Sequence, residues 1–379
     1  MDHGPIRQAA DLAIVHHQRD LVLSLAVGGE EGVGGLSIIE AGVLVVREES
    51  GILMGRVILE RRPSNAGVVV CVEARCARGA EDGTFVLSDV PPGPQTVAVS
   101  RGSYLRSWRE VGVPDGLLVL PDVTLLGGDV NGDDHIDEFD AISTGLAWNT
   151  TPTDLQWDGR ADITDDGTVN ILDMVAIQFN WDQVAPGPWD EIRARGLPAL
   201  PGRQPAAKDL ATPLVVSAAR AAVSRAGEPF DLQIRVQEAR DVYGGRLRIT
   251  FDPAVIQVRD AEQAGRTPGQ GGPGGQVRPG DFLDREQQLV LVNAVDNSKG
   301  TIDFAVTQLR PAGARSGSGV LATVPFVAVG QGSTMVRLSE VRLGDGSRPD
   351  PLEVPAQVRD GRVTVGPLRT IYLPVAQVR

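Results

Sequence analysis

Residues 128–140 read GDVNGDDHIDEFD, and residues 161–173 read ADITDDGTVNILD, the same pattern thirty-three residues further on. In the first copy Asp129, Asn131, Asp133, Asp137 and Asp140 fall at positions 1, 3, 5, 9 and 12 of a twelve-residue loop; in the second, Asp162, Thr164, Asp166, Asn170 and Asp173 do so. That spacing turns alternate oxygen-bearing side chains toward one centre. The backbone carbonyl of position 7, at His135 and Thr168, completes the ring that a hard cation such as calcium requires. Two loops imply two Ca2+ ions. Gly167 suits the sharp turn at position 6, whereas Asp134 meets it with a penalty of about 1 kcal/mol or less. Ile136 and Val169 at position 8 are apolar and are expected to pack the loops together. Each loop runs into a helical pattern, Ala141, Ile142 and Leu146 after the first and Met174, Val175 and Phe179 after the second. Both copies close on a tryptophan, Trp148 and Trp181, so the unit is an internal duplication.

Position 12 is Asp in both loops, no helix pattern enters either loop, and Gly128-Asp129-Val130-Asn131 opens the unit. In these respects residues 127–182 resemble dockerin domains. The resemblance implies a small α-helical, EF-hand-like module whose calcium loops hold helices that dock into a cohesin-bearing protein. Its recognition positions fall on Glu138 and Phe139, Ile171 and Leu172, Gly145 and Leu146, and Gln178 and Phe179. Simple core packing is the competing reading of Phe139, Leu172 and Phe179.

With 379 residues the chain has room for two or three domains, and 45 Gly, 26 Pro and little aromatic content indicate many turns and short strands. The net charge of -13 is concentrated in one place, since residues 129–182 hold thirteen acids against Arg160 alone. The charge therefore speaks of metal loops. With Lys208 and Lys299 the only lysines and few Tyr or Trp, no basic-aromatic surface for nucleic acid is expected. No apolar run approaches the length of a membrane span. Cys71 and Cys76 would face opposite ways in an unbroken strand, while a local turn between them would allow a bond.

Working outward, residues 1–50 carry the apolar runs Leu21–Ala26 and Val43–Val46, an uncertain β segment of a possible fragment. From Gly51 the runs GRVILERRP, AGVVVCVEA, GTFVLSDVPPG and QTVAVS are strand-length, β-branched and separated by turn residues. Gly55-Arg56-Val57, Asp82-Gly83-Thr84-Phe85, Val90-Pro91-Pro92-Gly93 and Tyr104-Leu105 make residues 51–125 resemble the carboxypeptidase regulatory-like, prealbumin-type β-sandwich. Its role is read as a spacer, with Tyr104 and Trp108 as its exposed-aromatic candidates for a glycan. Gly127-Gly128 passes straight into the first loop, so a rigid pair is expected, with Trp157 covering the interface of the two helices. Residues 183–210 form a Pro/Gly/Ala linker in which WDEIRARG allows one short helix.

Residues 211–366 again consist of strand-length runs with turns between them, the pattern of a sandwich or jelly roll. Asp241-Val242-Tyr243-Gly244, Phe251-Asp252-Pro253, Gly280-Asp281-Phe282-Leu283, Gly300-Thr301-Ile302-Asp303-Phe304-Ala305 and Gly317-Ser318-Gly319-Val320-Leu321-Ala322-Thr323 resemble the cohesin family. That resemblance implies a nine-stranded jelly roll whose flat sheet face receives a dockerin-bearing protein. The loop 265–280 is glycine-rich and expected to be mobile; the tail 367–379 reads as an added edge strand, with a surface-sorting signal as the alternative.

The fold expected is therefore mainly β: two sandwiches with a small helical unit between them. There is no G-x-S-x-G elbow, P-loop or HExxH motif, and only four histidines, so no enzyme is expected. The function read from the chain is a non-catalytic extracellular or cell-surface adaptor for calcium-dependent cohesin-dockerin assembly in a polysaccharide-related system. A surface carbohydrate-binding protein, contacting polysaccharide directly, is the alternative. The first residues, MDHGPIRQAADLAIVHHQRD, lack a basic start and an adequate apolar core for a signal peptide, so a missing true N-terminus is expected, with export by another route as the alternative.

Overall fold

A computed structural model describes residues 50–187, 189, 207–208, 214–259 and 277–366, together with the backbone of three earlier strands. Those strands, β1 (Ala10–His17), β2 (Asp20–Val27) and β3 (Val43–Arg47), form one antiparallel sheet. β2 and β3 contain the expected apolar runs, and β1 adds a strand that no such run signals.

In the first sandwich, β4 (Gly51–Leu59), β5 (Val69–Val72), β6 (Arg75–Arg78), β7 (Thr84–Val90), β8 (Gly93–Arg101), β9 (Tyr104–Val113), β10 (Gly116–Val119) and β11 (Val123–Leu125) follow in turn. They make two four-stranded sheets: β4 pairs with β7, β10 and β11, and the other order is β6-β5-β8-β9. Alternation places Leu53, Val57 and Leu59 of β4 and Val97 and Val99 of β8 between the sheets. A tight turn at Glu73 sets Cys71 opposite Cys76 across β5 and β6, and the two are bonded. The local turn thus decides the question that spacing left open.

The paired loops lead into α1 (Glu138–Leu146) and α2 (Ile171–Phe179). Asp137 and Asn170 cap the helices, and Asp140 and Asp173 return the bond to each cap's backbone, so both helix starts are capping boxes. The duplication is visible in the backbone. Ile136 N donates to Gln183 O and Asp182 N to Ile136 O, while Val169 N donates to Thr150 O and Asn149 N to Val169 O. Each position-8 residue is thereby tied to the chain that follows the other helix. Ile136 and Val169 are fully buried there, as expected.

No boundary separates this unit from the first sandwich, because Leu125, Val130, Ile136, Ile163, Met174 and Ile177 belong to one apolar cluster with the sandwich core. Tyr104 lies in that cluster and is buried, not exposed; its one hydroxyl proton is shared between Glu60 O at 3.1 Å and Ile163 O at 3.0 Å. Its ring lies inward in the shared core, and it serves as a bolt between the two units. Trp157 is half-buried against the same shared core.

The last domain comprises β12 (Leu214–Ala218), β13 (Arg220–Val223), β14 (Pro229–Thr250), β15 (Ile256–Val258), β16 (Arg278–Pro279), β17 (Gln288–Asp296), β18 (Thr301–Gln308), β19 (Arg315–Ala328), β20 (Gly332–Asp345), β21 (Ala356–Arg359) and β22 (Gly361–Val365). Eleven strand segments thus stand where nine were expected. The long β14 organises the domain. Its first half pairs with β12 and β19, it kinks at Glu238 and Asp241, which have positive φ, and its second half pairs with β18 and β20. The kinks carry one strand from one layer to the other. Leu232, Ile234, Leu247, Ile249, Phe251, Phe304 and Phe326 fill the core, and β20-β14-β18-β17 forms one continuous outer face. The expected helix in the linker, most of the 265–280 loop and the tail lie outside the described residues. Within the described residues no helix is long and apolar enough to cross a membrane.

Tyr104→Phe removes the hydroxyl shared by the Glu60 and Ile163 carbonyls while keeping the ring, and leaves Ile163 O with the weaker bond from Arg62 Nη1. We expect a loss of about 1–3 kcal/mol, read by calorimetry as a lower transition for the first sandwich and the paired-loop unit together.

Candidate docking face and paired loops

In the first loop Asp129, Asp133, Asp137 and Asp140 are all buried. Asp129 accepts from Asp133 N and Asp134 N, Asp133 accepts from His135 N, and Asp140 accepts from Val130 N, Asn131 N and Asp137 N. Burial pushes the Asp129 carboxyl up to about 7, with the Asp133 and Asp134 charges adding to it. Burial and then the Asp137 charge push Asp133 to about 6, and burial raises Asp140 well above the usual range.

The second loop is more open. Asp162 accepts from Asp166 N and Gly167 N, and Asp173 accepts from Thr164 N, Thr164 Oγ1 and Asn170 N. Asp166 takes the Asn170 amide, and Thr168 carries the carbonyl at position 7. At position 6 Gly167 has positive φ, and so does Asp134, so the strained residue takes the conformation the loop demands. Among the described residues no three His, Cys, Asp or Glu side chains converge as a finished metal cage. The reason lies in the hydrogen bonds just given: the carboxylates are turned to backbone amides that fold the loops. The donor set still suits a hard divalent cation, being all oxygen, largely buried and short of positive charge.

Cations from the neighbouring domains do reach the rims of the loops. From the first sandwich, Arg106 pairs with Asp134 and Arg62 with Asp165 at 2.7 Å. From the last domain, Arg342 Nη1 lies 2.7 Å from Asp137 Oδ2 and 2.9 Å from Glu138 Oε1, with its guanidinium over the Phe139 ring. The Glu138 contact lacks hydrogen-bond geometry, and burial, with the Asp137 charge adding to it, raises the Glu138 carboxyl well above its usual range.

This last contact belongs to a larger one. α1 rests on the outer face of β20-β14-β18, so every residue of α1 is buried, whereas α2 buries only its inner side. Ile142 and Leu146 pack on Tyr243, whose hydroxyl donates to Gly145 O at 3.2 Å; Arg310 N donates to the same carbonyl. Gln178 Nε2 donates to Leu291 O at 2.8 Å, and Arg160 pairs with Asp350 at 2.8 Å. At the centre Arg246, only 1 % exposed, is held by Asp303 at 2.8 and 2.5 Å and by Asp182 at 2.5 and 2.6 Å. Burial opposes the ionisation of Asp182, but hydrogen bonds from Arg246 and His135 hold its carboxyl well below the usual range.

Of the sequence-derived recognition residues, Glu138, Phe139, Leu146 and Gln178 meet the last domain of the same chain. Ile171, Leu172 and Phe179 do not: they are 50 %, 53 % and 53 % exposed, and Arg61 covers the Phe179 ring from one side. Core packing therefore holds for Phe139 and fails for Leu172 and Phe179, which lie half exposed on the outer side of α2 while its inner side packs on the shared core. Sequence reasoning missed Arg246, Asp303, Arg342 and Tyr243. The available signal was Gly244-Gly245 inside strand text, where a missing side chain marks the approach of another backbone.

Residues 214–350 match the model of the Cohesin domain family. No curated protein matches the chain. Similar solved structures include a non-cellulosomal cohesin from Archaeoglobus fulgidus, 16 % identical, over 42 % of this chain and 94 % of that one, at a TM-score of 0.32. A mutant type II cohesin-X-dockerin complex from Acetivibrio cellulolyticus is 22 % identical, over 35 % of this chain and 97 % of that one, at 0.33. A type I cohesin-dockerin complex from Clostridium thermocellum is 12 % identical, over 41 % and 99 %, at 0.32. The family match identifies the last domain as a cohesin domain, a non-catalytic protein-interaction module.

The raised carboxyls set a pH dependence. A carboxyl whose folded value lies above its unfolded one, near 3.9, favours the folded state below that unfolded value and loses the advantage as pH rises through the folded value. For Asp133 and Asp129 the loss spans roughly pH 4 to 7. His135, raised by its hydrogen bond to Asp182, changes in the same sense. In chelator, the melting temperature at pH 8 should lie at least about 3 °C below that at pH 5.5. An equal or higher value at pH 8 contradicts the raised carboxyls of Asp129 and Asp133.

Proposed function

We propose that the chain is a non-catalytic, extracellular adaptor of calcium-dependent cohesin-dockerin assembly. The observation that carries this reading is the seating of α1, directly behind the first loop, on the outer sheet face of a cohesin domain. Helix-on-sheet contact through Phe139, Ile142, Leu146 and a buried Arg246 has the features of a specific interface: an apolar centre and charge pairs in which one partner is buried. The paired-loop unit acts as the plug and the β20-β14-β18-β17 face as the socket. A cohesin-bearing protein would receive the plug, and a dockerin-bearing protein would enter the socket.

In this reading Asp129, Asn131, Asp133, Asp137, Asp140 and the His135 carbonyl hold one calcium ion, and Asp162, Thr164, Asp166, Asn170, Asp173 and the Thr168 carbonyl a second. Bound calcium supplies fixed positive charge that offsets the acids and holds the loops in shape. The protein groups keep the frame: capping boxes orient the two position-12 aspartates, and Ile136 and Val169 lock the loops together. Loops of this ligand type suit the millimolar calcium of an extracellular medium, and the bonded Cys71–Cys76 pair suits an oxidising one.

Calcium should raise the melting temperature of the full chain and reverse the pH trend seen in chelator, since it replaces protons on the same acids. Asp129→Ala combined with Asp162→Ala should abolish both effects. Thermal scans unchanged by millimolar calcium would refute the metal assignment. Binding to insoluble polysaccharide that survives chelation would favour direct glycan contact over assembly.

A further inference from the structure

Two glycines face each other across the contact between α1 and the cohesin domain. A Cβ added to Gly145, in the body of α1, would collide with the Gln308 carbonyl oxygen and crowd Thr307 Oγ1 and the Tyr243 ring, all socket atoms. A Cβ added to Gly344, in β20, would come within 2.5 Å of Ile142 Cδ1 and 3.3 Å of the Phe139 ring, all plug atoms. Neither glycine has positive φ, so neither is required by its own backbone. A glycine inside a helix or strand costs roughly 0.5–1 kcal/mol relative to alanine, and here nothing within its own domain explains either one. What explains both is the other domain of the same chain.

The charges agree. Arg246 and Arg342 of the socket find their carboxylates at Asp182, Asp137 and Glu138 of the plug, and Arg160 of the plug finds Asp350. In the corresponding place on α2, Ile171, Leu172 and Phe179 are half exposed. The duplicated unit thus spends one of its two equivalent helices on its own cohesin domain.

We propose that the chain is closed on itself: α1 occupies the docking face of its own cohesin domain, and another chain gains that face only when α1 leaves it. This rests on the plug-and-socket reading above and adds to it that the socket is filled in cis, so the unopened protein is a monomer that does not capture a second copy.

Two full-length variants test it. Gly145→Trp blocks the plug and frees the socket; Gly344→Trp blocks the socket and frees the plug. Because each new side chain meets only the opposite domain, each variant should keep the wild-type far-UV circular dichroism. In calcium, sedimentation should show the wild type and each variant as monomers, and an equimolar mixture of the two variants as a 1:1 dimer of doubled mass. Ile142→Glu replaces Gly145→Trp should the latter aggregate. Wild-type copies that assemble into dimers or open chains would overturn closure and leave the plug-and-socket reading standing. Variants that stay monomeric when mixed would overturn both, since neither freed face then accepts a partner.

Discussion

A guanidinium removed from water is tolerable only where carboxylates and their geometry replace the water, and Arg246 is placed on this condition. Asp303 comes from the neighbouring strand of its own domain, but Asp182 comes from the end of the paired-loop unit. Asp182 in turn reaches His135 at the rim of the first loop and sits beside Ile136, whose carbonyl takes its backbone N–H. Loop, helix and sheet are therefore joined through one buried charge. Remove Asp182 and Arg246 is left half-compensated at the centre of the contact.

What local spacing controls was legible in the chain. Ligand-like acids at alternate loop positions, apolar position 8, helix starts and turn-bounded strand runs are all short-range patterns, and the loops, both helices and most strands lie where those patterns put them. Tyr104 was misjudged because a tyrosine at the start of a strand shows no sign of which carbonyls will stop its hydroxyl; Glu60 and Ile163 come from two different domains. The sheet face on which α1 rests was not legible for the same reason. Arg246, Asp303 and Arg342 become neighbours only through the pairing of β14 with β18 and β20. Gly145, Gly244 and Gly344 were visible, but a glycine says that something approaches and not what does.

The duplicated unit shows how one sequence repeat comes to serve unequal ends. Both halves share capping boxes, left-handed turns and reciprocal position-8 bonds, yet α1 is buried all round and α2 on one side. The difference lies in what each half meets. Arg342 and Gly344 of the cohesin domain accommodate Phe139 and Glu138, while Leu172 and Ile171, at the matching positions of α2, face no sheet.

Because the paired-loop unit shares its apolar core with the first sandwich, α1 cannot leave the cohesin domain alone; the sandwich must travel with it. The plug and its own socket are joined by one polypeptide, so they meet at an effective concentration on the order of millimolar. A rival in solution at micromolar concentration must therefore bind roughly a thousandfold tighter to win the same face. Selectivity in such a molecule is set by the tether as much as by the interface: only a partner of high intrinsic affinity opens it, and weak or mismatched ones are turned away without any contact built to refuse them.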